Sequence, residues 1–161
     1  MKILLCVLVI TILSGCSDSD NEAPSTIYSH VGTWNYSGIS CNGVNLATSG
    51  IAESLTLTET SGTYTATGSG CTITESNFTI SRSGNTLLAP NSGTISCTPN
   101  PCDLNFTVTG PGGSVSSAIS CPDDLPLVAS GTTVSINSSA IIVKSDDGAG
   151  TVCETTYTKS N

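Results

Sequence analysis

The chain is poor in basic residues, aromatic residues and histidine. Of its 161 residues, four are Lys or Arg against twelve Asp or Glu, one is His, and 4% are aromatic. The formal net charge of −8 argues against a nucleic-acid partner, because nucleic-acid binding depends on clustered Lys and Arg. A single histidine also leaves little material for a metal site or for a nucleophile–base pair. We therefore predict no nucleic-acid partner, no metal and no cofactor.

Apolar residues are scarce as well, at 37% of the chain, and the longest apolar run lies at the amino terminus. No stretch after Val31 has apolar residues at positions i, i+3, i+4 and i+7, the spacing of an amphipathic helix. These absences exclude a helical bundle, a nucleotide-binding α/β enzyme and a multispanning membrane protein. They also imply that something besides core burial stabilises the fold.

The amino terminus has the pattern of an export signal. The basic start Met1-Lys2 precedes the eleven mostly apolar residues Ile3–Leu13. That run is too short for a bilayer, which needs about twenty residues, and suits the core of a signal peptide. The next residues, Leu13-Ser14-Gly15-Cys16, resemble the lipobox of bacterial lipoproteins. The resemblance implies a signal peptide over residues 1–15, and acylation of Cys16 with chains such as palmitate.

The segment after the lipobox predicts where such a lipoprotein resides. Ser17 follows the cysteine, where an Asp often marks retention in the inner membrane of lipoproteins of this kind. We therefore expect a protein of the bacterial cell envelope, anchored in a membrane by lipid, with the outer membrane favoured. Residues 16–29 are polar and acidic, which predicts a disordered tether behind the lipidated cysteine. Residues 30–161 are predicted to form a single β domain.

The remainder of the chain has the pattern of β-strands. Apolar and polar residues alternate, as in Thr33–Tyr36 and Leu104–Val108, and Gly- or Asn-rich turns such as Ser83-Gly84-Asn85 separate the runs. This spacing predicts roughly nine to eleven strands in an all-β antiparallel meander, either a β-barrel or a β-sandwich. A barrel is favoured because closure removes the sheet edges.

Gly32-Thr33-Trp34, on the first predicted strand, resembles the G-x-W motif of lipocalin-like and avidin-like barrels. The resemblance implies that Trp34 closes one barrel end and packs against a basic residue of the last strand, for which Lys159 is the candidate. Trp34 is equally well explained as a core residue at the barrel base. The chain has no further tryptophan for an avidin-type biotin pocket.

Cysteine supplies the missing stabilisation. The chain has eight cysteines, and Cys6 lies in the signal while Cys16 is the predicted lipidation site. The other six predict three disulfides in an exported chain: Cys41, Cys71, Cys97, Cys102, Cys121 and Cys153. The sequence leaves their pairing open, and a local Cys97–Cys102 bridge is the first expectation.

No residue pattern supports catalysis. His30 lies where the tether meets the first strand, so we expect it to be exposed and unsuited as a buried base. The acid pairs Asp123-Asp124 and Asp146-Asp147 are adjacent in sequence and are predicted to form turns. Glycoside hydrolysis instead needs carboxyl groups that face each other across the sugar. The protein is therefore predicted not to be an enzyme.

The remaining function classes are binding and structure. We predict a non-catalytic binding module for a small apolar ligand inside the domain or for an envelope protein at its surface. A ligand pocket would be lined by the inward aliphatic residues and by Trp34, Tyr64, Phe78 and Phe106. The alternatives are a structural or interaction protein of the envelope without a pocket, or an inhibitor of a cationic enzyme.

Overall fold

The structure is a computed structural model that describes residues 27–122, 132–146 and 151–160. These residues form thirteen β-strands and no helix. The strands are β1 Gly32–Cys41, β2 Val44–Ser49, β3 Ala52–Leu57, β4 Ser61–Gly68, β5 Cys71–Thr79, β6 Ser81–Ser83, β7 Thr86–Ala89, β8 Thr94–Thr98, β9 Cys102–Gly110, β10 Gly113–Cys121, β11 Thr132–Ile136, β12 Ala140–Asp146 and β13 Val152–Lys159. The described part of the chain accordingly offers no helix that could cross a membrane.

Ten of the strands form one curled sheet in the order β6-β7-β11-β12-β13-β1-β3-β4-β5-β8. All the pairings are antiparallel. The prediction of an antiparallel all-β fold is confirmed, and the sheet curls into a half-barrel. The curl does not close completely, because the outer strands β6 and β8 do not pair with each other in the described part of the chain. Residue Ile80 alone separates β5 from β6 in the chain, although these two strands lie near opposite ends of the strand order.

The first strand changes partner halfway along its length. Residues Gly32–Asn35 pair with β3, whereas Ile39–Cys41 pair with β2, and β13 runs along the other side of both parts. The far half of β2 then pairs with β9, and β9 pairs with β10. These three strands form a ribbon that leaves the curled sheet. The sequence analysis missed β2 and β6, because β2 is mostly exposed and β6 has only three residues.

The buried side chains form two clusters. The first cluster fills the half-barrel: Trp34, Leu55, Leu57, Phe78, Ile80, Leu87, Ala89, Ile136, Ile141 and Tyr157. The second cluster lies where the ribbon packs on β4 and β5: Ala66, Cys71, Ile73, Leu104 and Cys121. Tyr64 packs against both clusters.

Three disulfides form, as the cysteine count predicts, but the expected Cys97–Cys102 bridge is wrong. Cys71 pairs with Cys102 and Cys97 pairs with Cys121, so both bonds fasten the ribbon to the curled sheet. The reason is that the chain leaves the curled sheet at the end of β8, which contains Cys97, and Cys102 begins β9 in the ribbon. The third bond joins Cys41 to Cys153, which lie directly opposite each other on β1 and β13.

The expectation that His30 is exposed is also wrong, because its side chain is only 1% exposed. The indole Nε1 of Trp34 donates a hydrogen bond to the carbonyl oxygen of His30 at 2.8 Å. Arg82 lies beside the imidazole, with its guanidinium nitrogen 3.2 Å from His30 Nδ1, and also donates to the carbonyl oxygen of Tyr28. Because a guanidinium only donates, Nδ1 is the acceptor and the ring proton belongs on Nε2. The segment from Tyr28 to His30 thus covers one end of the first cluster instead of extending the tether.

The same end carries the contact implied by the G-x-W motif. The Lys159 ammonium lies 5.4 Å from the centroid of the Trp34 ring, within the range of a cation–π interaction. Trp34 and Lys159 are register partners on β1 and β13. Trp34 is therefore both a buried core residue and the platform for the basic residue of the last strand. We call this the closed end of the half-barrel.

Candidate functional site

The first cluster lines an apolar cavity of about 250 Å³ that is partly open to solvent. We refer to it as the cavity. Its walls are almost entirely aliphatic and aromatic: Leu55, Leu57, Tyr64, Phe78, Ile80, Leu87, Leu88, Ala89, Val134, Val143, Ser145, Thr155 and Tyr157. Alternate residues of a strand face the same side of a sheet, so the curl of the sheet directs Leu55 with Leu57, and Leu87 with Ala89, into the same space.

Two of the four predicted pocket residues line the cavity, namely Tyr64 and Phe78. Trp34 lies in the same cluster but at its closed end, 1% exposed, and it does not line the cavity. Phe106 packs against the second cluster and does not line the cavity. The alternation of β9 correctly predicts an inward-facing phenylalanine, but it cannot tell which of two clusters the strand covers.

At one corner of the cavity lie the tyrosines Tyr64 and Tyr157, and Glu53 lies next to them, outside the cavity wall. The hydroxyl of Tyr157 donates a hydrogen bond to Glu53 Oε2 at 2.8 Å. Burial, followed by the nearby Tyr157 and Glu53 groups, raises the pKa of the Tyr64 phenol well above its ordinary value. Burial and the Glu53 charge likewise raise the pKa of Tyr157. Both phenols therefore stay neutral and keep their hydroxyl protons for donation.

Behind this corner lies a second hollow of about 370 Å³, which we call the window. It opens where β1 parts from β3, beyond the pair Asn35 and Ser54. Glu53 and Tyr36 line the window, whereas Tyr157 lines the cavity. The hydrogen bond from Tyr157 to Glu53 therefore connects the wall of one hollow to the wall of the other.

A short loop packs across β5 near the cavity. The chain passes from β7 to β8 through residues 90–93, and the side chain of Glu75, 0% exposed, accepts a hydrogen bond from the Gly93 amide at 2.8 Å. A Cβ atom at Gly93 would approach the Ser76 carbonyl oxygen to 2.3 Å, so only glycine permits this contact. This loop takes the chain from β7, near one edge of the curled sheet, to β8, which pairs with β5 at the other edge.

The basic residues lie away from both hollows. In the described part of the chain, no Lys or Arg lines the cavity or the window. Lys144 forms an ion pair with Glu154 at 2.7 Å on the exposed face of β12 and β13. Arg82 and Lys159 lie at the closed end, against His30 and Trp34 respectively.

The remaining candidates from the sequence are a metal site, the lipidated cysteine and the paired acids. Within residues 27–122, 132–146 and 151–160, no group of three His, Cys, Asp or Glu side chains is arranged to hold a metal ion. The predicted lipidation site Cys16 lies outside the described residues, as do Asp123, Asp124 and Asp147.

The sequence analysis missed Glu53, although its position contained a signal. Glu53 precedes Leu55 and Leu57 at alternate positions of β3, so its side chain belongs to the inward-facing set.

We compared the chain with models of protein families, with curated proteins and with solved structures, and none of them matches it.

Proposed function

We propose that this chain is a lipid-anchored lipoprotein of the bacterial envelope whose β domain binds a small apolar ligand without catalysing a reaction. The observation that supports binding is the cavity of about 250 Å³, whose walls are mostly aliphatic and aromatic. The envelope location is supported by the sequence alone, through the lipobox Leu13–Cys16 and through Ser17, which favours the outer membrane.

The size of the cavity limits the ligand. An apolar cavity of about 150 Å³ accepts benzene, so the present one has room for a group of about ten non-hydrogen atoms. A long acyl chain would not fit within it, whereas an eight-carbon chain or a fused pair of small rings would.

The test is a calorimetric titration of 1-octanol into the exported, oxidised protein. The matched blank is the variant Ala89→Leu, which places a larger side chain in the cavity and leaves the anchor unchanged. We expect saturable binding to the wild type and none to the variant. Equal heats from both proteins would show that octanol binds elsewhere and would refute the proposal.

The alternative, a protein partner at the surface, has one supporting observation. Strand β10 pairs only with β9 among the described strands, and Val115 on it is 68% exposed. An exposed edge strand can pair with a strand of another protein. If this is the function, Val115→Lys should abolish retention of a partner while leaving octanol binding unchanged.

A further inference from the structure

The polar corner of the cavity presents hydrogen-bond acceptors of negative charge. Glu53 accepts from Tyr157 at 2.8 Å, and both groups lie close enough to the Tyr64 phenol to raise its pKa. A carboxylate offers about four acceptor positions, so two phenols leave acceptor capacity for a ligand. The phenol oxygens can accept as well. A group that donates several hydrogen bonds is therefore the natural complement.

The charges around the two hollows have one sign. Glu53 lines the window, and no basic residue of the described part of the chain lines either hollow. An anionic head group would have to lie beside the carboxylate with no cation to offset it, which disfavours a fatty acid. A cationic head group would instead form a charge-assisted hydrogen bond there.

The geometry allows one molecule to use both environments. The apolar walls of the cavity end at Tyr64 and Tyr157, and the Glu53 carboxylate next to them borders the window. A chain held by the aliphatic walls would place its terminal group at this corner. The hydrogen bonds of this group to water would then be replaced by hydrogen bonds to Glu53 and to the phenol oxygens.

We propose that the ligand is a short apolar amine, with its hydrocarbon part in the cavity and its ammonium group donating to Glu53 beside Tyr64 and Tyr157. This inference rests on the proposed function, because it requires that the cavity hold a ligand. It adds the chemical class of the head group.

The experiment compares three ligands that share an eight-carbon chain: octylamine, 1-octanol and octanoate. Each is titrated at pH 7 into the full-length, exported and oxidised protein, with Ala89→Leu as the blank. We expect octylamine to bind about tenfold more tightly than octanol, since charge-assisted hydrogen bonds are about twice as strong as neutral ones. Octanoate should bind at least tenfold more weakly than octanol.

Two substitutions separate a specific contact from general attraction to an acidic protein. Glu53→Gln keeps the shape of the side chain and should make octylamine and octanol bind equally. The control Glu59→Gln removes the same charge from an exposed turn residue and should leave the preference for octylamine intact. If Glu53→Gln does not fold, the ratio of the three ligands on the wild type and on Glu59→Gln still decides the question.

The outcomes distinguish the two proposals. If octanol binds but octylamine binds no more tightly, or octanoate binds best, the amine inference is wrong and the apolar site stands. If Glu59→Gln lowers the preference as much as Glu53→Gln does, the inference is also wrong. If none of the three binds the wild type beyond the blank, both proposals fail.

Discussion

Filling the cavity should stabilise the protein, and Ala89 is the position at which to do it. Its side chain is 7% exposed on β7 and lines the space of about 250 Å³. Replacement by leucine adds three carbon atoms to a space with room for about ten, which leaves room for about seven and therefore not for the nine of octanol. If they occupy empty room, no existing contact has to move.

The expected gain follows from the transfer of these three carbons. At about 0.8 kcal/mol for each buried methylene, Ala89→Leu gains about 2.4 kcal/mol as an upper limit. Ordering the leucine side chain costs about 0.5–1 kcal/mol, which leaves about 1.5 kcal/mol. For a domain of this size, such a gain raises Tm by about 5 °C.

The assay is urea unfolding of the oxidised protein followed by far-ultraviolet circular dichroism. The control is Ala47→Leu, the same change at an exposed position of β2, where we expect a change within about 0.5 kcal/mol. This control also accounts for the better strand propensity of leucine. Saturating octanol should stabilise the wild type but not Ala89→Leu, since the space it needs is filled.

A loss of stability would refute the reasoning. Inserting carbons into a core that is already full costs about 1–3 kcal/mol. A drop of that size at position 89, with no change at position 47, would mean that the half-barrel holds no usable space. The proposed ligand site would then fail with it.

Three further outcomes are expected. The folded-state pKa values of Tyr64 and Tyr157 lie above the ordinary 10.0, so their contribution to stability is complete below about pH 10 and is lost as the pH rises further. Absorbance at 295 nm should therefore show two tyrosines that ionise only when the protein unfolds. Ionisation of all four tyrosines before unfolding would contradict this. Arg82→Ala removes the hydrogen bonds to Tyr28 and His30, and should cost about 2 kcal/mol in urea unfolding, whereas an unchanged midpoint would show that these bonds do not hold the segment. Cys16→Ser should release the protein from membranes in a fractionation experiment, and a protein that stays in the membrane fraction would disprove the lipobox interpretation.

The strand content could be predicted because alternation survives even in a chain with few apolar residues. Leu55 with Leu57, and Phe78 with Ile80, mark inward positions at a period of two, and the structure buries all four. The order of the strands could not be predicted in the same way. It depends on the crossing of residues 90–93 and on the partner change of β1, which no local pattern specifies.

The site could be predicted only in part for the same reason. The alternation of residues along a strand gives the face on which a side chain lies, and Tyr64 and Phe78 do line the cavity. It does not tell which of the two clusters a strand covers, and Phe106 packs against the second one. Glu53 was overlooked because an acid on a polar strand is ordinarily solvated, and its inward position matters only once Tyr157 is known to lie opposite.

The disulfides are unevenly distributed between the two clusters of buried residues. The second cluster has only Ala66, Ile73 and Leu104 as buried residues besides its cysteines, and two covalent bonds fasten it. The cavity lies in the first cluster, whose ten buried residues hold together by packing, with one bond at its margin. Reduction of the disulfides should therefore loosen the ribbon far more than the walls of the cavity. As the chain folds, the cavity can assemble once the curled sheet forms, whereas the ribbon is fastened only after its two disulfides are oxidised. A change in the redox state of the surroundings would then remodel one face of the protein and leave its interior site in place.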